Sequence, residues 1–248
     1  MADNVLWGQY IASDSVVHRL DPRTKLLSVL AFTFCCLFLT TWGGYAVATV
    51  LAGGQLLLSR VPFRTFGRAI KPVLLIVSFT LLYHLLVTRE GIESGVFVVW
   101  RILLLVSLAS LLTLTTKPLE LAKGLEQLLK PLSAWGVPVE AMALTVMLAI
   151  RFIPTISEEL DRMILAQQAR GFDIKSARGH RQGLAYLSLV VPLLITTIQR
   201  AEQLAMTIDA RAYGNGKGRT SYRVLTFSRT DYAAGGLLLA CILLILYL

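Results

Sequence analysis

Charge is scarce in this chain. Only 16% of its 248 residues are Asp, Glu, Lys or Arg, and five long stretches have none: Leu26–Ser59, Pro72–Thr88, Ile102–Thr116, Gln182–Gln199 and Tyr232–Leu248. Intrinsic disorder is excluded, because 55% of the residues are hydrophobic and the mean hydropathy is +0.66. Cysteine is limited to Cys35, Cys36 and Cys241, too few for a disulfide scaffold and wrongly spaced for a zinc site or a redox CxxC pair. They are expected to behave as small intramembrane hydrophobes. Histidine is limited to His18, His84 and His180, and no metal-ligand spacing links them. A small-residue cleavage site is missing after the first apolar block, so that block is expected to be a retained signal anchor.

What is present is length within the uncharged stretches. A bilayer core of about 30 Å takes roughly 20 apolar residues in helical form, so these stretches predict an integral membrane protein. The first is too long for one span. TTWGGY at Thr40–Tyr45, with paired glycines and interfacial aromatics, predicts a surface turn that divides it into two helices. The next connection carries Arg60, Arg64, Arg68 and Lys71 without an acid, which places it, and the N-terminus with Arg19, Arg23 and Lys25, in the cytoplasm. Pro72–Thr88 then crosses outward, Arg89–Ser94 is an external loop, and Gly95–Thr116 returns. Arg101 lies near the outer end of this fourth span and is expected to snorkel to the interface. His84 is expected to be a neutral, hydrogen-bonded imidazole between helices.

The texture changes at Lys117. Residues 151–229 carry a net charge of +6 out of the total of +9. Within this basic region the apolar runs Val137–Pro154 and Leu184–Ile198 contain prolines and end in amphipathic tails, which predicts long helices lying along or dipping into the membrane surface. LELAKGLEQLLKPL at Leu119–Leu132 predicts a further interfacial amphipathic helix. The expected architecture is all-α and polytopic. About five transmembrane helices accompany long coupling helices, in three regions: 1–116 with the first four spans, 117–229, and 230–248 with the last span.

Two helix ends resemble one another: TISEELDRMILAQQARGFD at Thr155–Asp173 and IQRAEQLAMTIDARAYG at Ile198–Gly214. Ile156, Leu160, Met163 and Ile164 share one helical face in the first, as do Ala201, Leu204, Ala205 and Ile208 in the second. Each runs through an Ala-Arg-small tripeptide, Ala169-Arg170-Gly171 and Ala210-Arg211-Ala212. A glycine at or just past it, Gly171 or Gly214, supplies a left-handed helix stop. One such arginine would merely complement a helix dipole. Two matched ends in the most basic part of a membrane protein present planar, bidentate donors between small flanks, suited to a carboxylate in another protein's groove.

These residues bring the chain close to a known family. It resembles the transmembrane T component of energy-coupling factor (ECF) transporters, the EcfT/CbiQ-like family. The resemblance rests on YIASDSVVHRLDPRTKLL at Tyr10–Leu27 with its HxLDPRxK core, RFIPTISEE at Arg151–Glu159, AQQARGFD, and AEQLAMTIDARAYGNGKGRTSY. It implies a non-enzymatic coupling subunit in the bacterial cell membrane, working with two ABC-type ATPase subunits and a membrane-embedded substrate-binding S component. Vitamins or metal ions would be the cargo. ATP would be bound by the partners, with no cofactor, metal or nucleic acid held here. Mapped onto this chain, Ala169, Arg170, Gly171, Ala210, Arg211 and Ala212 would dock on the ATPases. Ile156, Leu160, Met163, Ile164, Leu204 and Ile208 would form the face toward the S component. Ala212 departs from the family's glycine but remains small. A third tripeptide, Ala177-Arg178-Gly179, lacks the amphipathic lead-in and is set aside.

Other functional classes fit less well. A lipid-modifying transferase would need several aspartates at fixed helical spacing to hold metals, and only the DAR at Asp209–Arg211 suggests one. A permease binding its own cargo would line a path with polar intramembrane residues, of which His84 and Arg101 are nearly all. GNGKGRT at Gly214–Thr220 lacks the spacing of a phosphate loop and follows no strand, so it reads as a flexible basic connector.

Overall fold

The computed structural model describes residues 13–87, 92–171, 180–212 and 227–247. Every regular element among them is helical: α1 Val16–Arg19, α2 Pro22–Leu37, α3 Trp42–Ser59, α4 Phe63–Val87, α5 Ile92–Thr115, α6 Pro118–Leu129, a 3-10 turn Lys130–Trp135, α7 Val139–Ala169, α8 His180–Ala210 and α9 Arg229–Tyr247. The chain forms two compact units, Met1–Val139 with Val224–Leu248, and Glu140–Arg223. The amphipathic segment expected within the coupling region, now α6, therefore belongs to the first unit.

Local chemistry sets the helix boundaries in the first unit. Asp21 caps α2 by accepting from the Arg23 N–H, and Pro22 follows at the position where a missing N–H costs nothing. The predicted division of the first apolar block occurs at residues 38–41, slightly before the glycine pair. Thr41 Oγ1 accepts from the Gly44 N–H at 3.3 Å, so Trp42, Gly43, Gly44 and Tyr45 form the first turn of α3 instead of the connection. Gly44 is needed for close approach, since a Cβ there would run into the Leu39 side chain. Arg101 gives a guanidinium N–H to the Leu39 carbonyl of the same connection, at 2.7 Å. Of the predicted cytoplasmic connection, Arg64, Arg68 and Lys71 lie within α4, which continues through Pro72. His84 donates from Nδ1 to the Thr80 carbonyl at 3.0 Å, and a Cβ on Gly95 of α5 would stand 3.0 Å from its Cβ.

The core of this unit joins α2, α3, α5 and α9 through Phe32, Cys35, Cys36, Leu39, Tyr45, Ala48, Leu104, Leu108 and Ile245. Ala48 is fully buried, and its small side chain lets α3 approach its neighbours closely, as van der Waals packing between apolar helices requires. Phe97 of α5 stacks against Tyr45 at 5.0 Å, and Trp100 Nε1 donates to Thr49 Oγ1 at 2.9 Å. Outward, α4 exposes Leu75, Phe79, Leu82 and Leu86 along one stripe, while Asp21, Lys25, Thr115, Thr116 and Asp231 are buried. Apolar residues outside and charge inside are what a lipid surrounding selects. By length and composition, two helices among the described residues are long and apolar enough to cross a membrane, Glu93–Thr115 and Val139–Ala169, with Ile70–Leu86 a shorter apolar stretch.

Candidate functional site

The second unit is built from two helices of equal length. The runs Val137–Pro154 and Leu184–Ile198 each continue without a break into their polar tails, giving α7 and α8 of 31 residues apiece, with Pro154 and Pro192 inside them. The two helices meet over a short stretch. Leu189 of α8 is buried at 3% exposure against Leu160, Met163 and Ile164 of α7. Next to this contact, Phe152, Thr155, Ile156 and Glu159 face Leu193, Thr196, Thr197, Arg200 and Ala201 around a cavity of about 60 Å³. Numbering falls along α7 as it rises along α8, so the helices cross antiparallel. Glu159 marks the crossing electrostatically: its Oε2 accepts from Arg162 at 3.0 Å and lies 3.9 Å from the Arg200 guanidinium.

Because the crossing is antiparallel, the arginine ends lie at opposite ends of the pair. Arg170 is six residues past Ile164 and Arg211 ten past Ala201, which at 1.5 Å per residue carries them about 9 Å and 15 Å beyond the contact. Both ends close alike. The Arg170 N–H reaches the Ala166 and Gln167 carbonyls, and Gly171 (φ +81°) donates to Gln168 at 2.9 Å. The Arg211 N–H reaches Thr207, and Ala212 donates to Asp209 at 2.9 Å with φ +53°. Gly171 is thus the left-handed stop of α7. In α8 the stop is Ala212 itself, a conformation that costs an L-residue roughly 1–2 kcal/mol. Gly214, Asp173, the third tripeptide Ala177-Arg178-Gly179 and the Gly214–Thr220 connector lie outside the described residues.

All six residues of the two tripeptides are exposed, and neither arginine has an ion-pair partner among the described residues. The apolar residues singled out from the sequence divide into two groups. Ile156 lines the cavity while Leu160, Met163 and Ile164 pack on Leu189, so these four lie in the contact between the helices. Leu204 and Ile208 are half-buried beyond it on α8. The outward apolar residues are others: Leu187, Val191, Leu194 and Ile198 along α8, and Met142, Val146 and Ile153 along α7. Their spacing of three, four and seven residues would mark them in sequence. The run around Leu194 is apolar on every side, however, and periodicity cannot rank its faces. Among the described residues no group of three His, Cys, Asp or Glu side chains is placed to hold a metal ion.

Comparison with known proteins places the sequence in a family. A family model described as cobalt transport protein, CbiQ, matches residues 13–222. The energy-coupling factor transporter transmembrane protein EcfT of Bacillus subtilis (strain 168) is 40% identical over 247 residues, covering 93% of each chain. The protein of the same name from Thermanaerovibrio acidaminovorans is 39% identical over 268 residues, covering 100% of this chain and 97% of the relative. That of Heliobacterium modesticaldum is 39% identical, covering 94% and 93%.

Proposed function

The chain belongs to the CbiQ family and is a transmembrane component of an energy-coupling factor transporter; on that footing we propose that it is the coupling subunit of an ABC importer. In this reading two ATPase subunits move the arginine tips, and the helices pass that motion to a membrane-embedded S component that holds a vitamin or metal ion. The chain catalyses nothing itself, and ATP is bound by its partners. It is a multi-pass protein of the bacterial cytoplasmic membrane, with the N-terminus and the basic connection around Arg64 and Arg68 on the cytoplasmic side.

The observation that carries this reading is the matched pair of tips. Arg170 and Arg211 are exposed, end helices of equal length, and are each followed by a left-handed residue, at opposite ends of one crossing. A guanidinium presented on a helix end, with Ala169 and Gly171 or Ala210 and Ala212 beside it, can enter a groove and bind a carboxylate through two parallel hydrogen bonds. Two such ends suit two docking partners. The crossing makes a displacement at one tip felt at the other, because both helices turn about the same contact. Ile156, Leu160, Met163 and Ile164 serve this pivot, and the outward stripes through Leu194 and Val146 extend the apolar surface offered to the S component together with Leu204 and Ile208.

The test is copurification from membranes after co-expression with the ATPase and S subunits of the same organism. The wild-type chain is expected to bring down ATPase chains and a small hydrophobic protein. The double variant R170A/R211A is expected to insert normally and lose the ATPases. Undiminished ATPase recovery with the double variant would overturn the docking role.

A further inference from the structure

The segment Asp21-Pro22-Arg23-Thr24-Lys25 takes no part in the docking described above, yet it is a buried, densely bonded polar site. Lys25 is 6% exposed. Its Nζ donates to the Thr115 carbonyl at 3.1 Å, to Thr116 Oγ1 at 3.1 Å and to the His18 carbonyl at 3.3 Å, which uses all three ammonium protons. Asp231, 4% exposed, accepts from the Asp21 N–H at 2.8 Å through Oδ1 and from the Ser228 N–H at 2.7 Å through Oδ2. The Arg23 guanidinium lies over the Phe227 ring, 5.1 Å from its centroid. A Cβ on Gly124 of α6 would stand 3.0 Å from Pro22 Cβ and 3.4 Å from the Arg23 nitrogen.

Three parts of the chain therefore meet on the first turn of α2: the α5–α6 junction with Gly124, the start of α9, and α1. Two of them have a special place in the covalent path. The chain leaves the first unit for the second through α6 and the 3-10 turn, ending at Val139, and re-enters at Val224, just before Phe227. The outgoing route and residues 227–231, which follow the returning one, are thus fastened to one turn. Burial pushes the Lys25 ammonium down to about 8, against the pull of Glu120, Asp231 and Asp21. Buried charge of this kind rarely adds stability over an apolar replacement, and is better explained by fixing one arrangement.

We infer that the Asp21–Lys25 turn is a clasp that holds the outgoing and returning connections of the second unit to the ends of the membrane helices, so that displacement of α7 and α8 reaches the first unit instead of being lost in slack connections. This rests on the coupling function proposed above. Lys25 and Asp231 are positioning residues in it, acting through α6 and α9. Without them a load applied through α6 or the start of α9 would first peel these elements from α2.

The experiment compares K25M, which keeps the apolar stem, and D231N with wild type in the full complex, by amide hydrogen exchange with and without a non-hydrolysable ATP analogue. T116V, which removes a single acceptor, is the milder companion should either variant fold poorly. In wild type the nucleotide is expected to alter exchange in α7 and α8 and also, by at least threefold, in α6 and the first turns of α2 and α9. In K25M and D231N the change in α7 and α8 is expected to persist while that in α6, α2 and α9 disappears, with the ATPases still bound. Wild-type-like nucleotide response of α6 and α9 in both variants would overturn the clasp. So would loss of the ATPases in parallel with a general rise in exchange, which marks a merely structural role. If instead the wild-type chain recovers no ATPase, it is the coupling function that fails, and the clasp's part in it fails at that step.

Discussion

The two units of this protein are held together in opposite ways. The first interleaves α2, α3, α5 and α9 around a core in which Ala48 is fully buried, and closes one end with bonded charges at Asp21, Lys25 and Asp231. The second consists of two helices of 31 residues that share one short contact, where Leu189 is the buried core residue. A region with few buried contacts opens at low free energy, and moving elements are drawn from such regions. The difference separates a densely packed frame from a pair of long helices held by one short contact.

That contrast can be broken at several strengths. The largest effect is expected from Ala48→Leu, which forces three extra heavy atoms into the fully packed junction of α3 with its neighbours, at a cost of about 3 kcal/mol. Thermal unfolding in detergent should show a lowered transition for the first unit, with exchange in α7 and α8 little changed. Leu189→Ala does the converse. It should cost the α7–α8 contact about 2 kcal/mol and raise amide exchange near the crossing roughly thirtyfold, leaving the transition of the first unit in place.

A smaller effect concerns pH. Lys25 titrates near 8 in the folded chain and near 10.5 when unfolded, so between these values the unfolded chain binds more protons. Stability of the wild type relative to K25M should rise by about 1 kcal/mol from pH 8 to pH 9 and stay flat below pH 7, as thermal unfolding over that range would show. The smallest effect is expected at the second tip. Ala212→Gly relieves a left-handed alanine and should strengthen the last turn of α8 by about 0.5 kcal/mol, read as slower exchange at Arg211 and Ala212. The same change should bring the two tips closer to identity.

Much of this was legible in the sequence for physical reasons. Charge-free stretches reveal helices because lipid admits little else, and the arginine tripeptides stand out because each ends a periodic run at a small residue. The connection between α2 and α3 was legible to within a few residues. The glycine pair misplaced it, because Gly44 serves contact with Leu39 and not chain reversal. Facing was harder. In α7 the periodic set Ile156, Leu160, Met163 and Ile164 was found, but periodicity alone cannot say whether a stripe meets a neighbouring helix or a partner. The bond from the Asp21 N–H to the Asp231 carboxylate spans 210 positions, and nothing in a single sequence pairs a helix-capping backbone with an acid so far away. A left-handed Ala212 was equally hidden, since alanine gives no local sign of that conformation.

Pro154 and Pro192 have a mechanical consequence. Pro154 lies among the cavity-lining residues Phe152 to Glu159, and Pro192 immediately precedes Leu193 on the other wall. Each proline deletes one rung of the helical hydrogen-bond ladder where the two helices touch. Bending stiffness is therefore lowered at their contact. A bend in either helix is expected at the joint between them, as in shears with a compliant rivet.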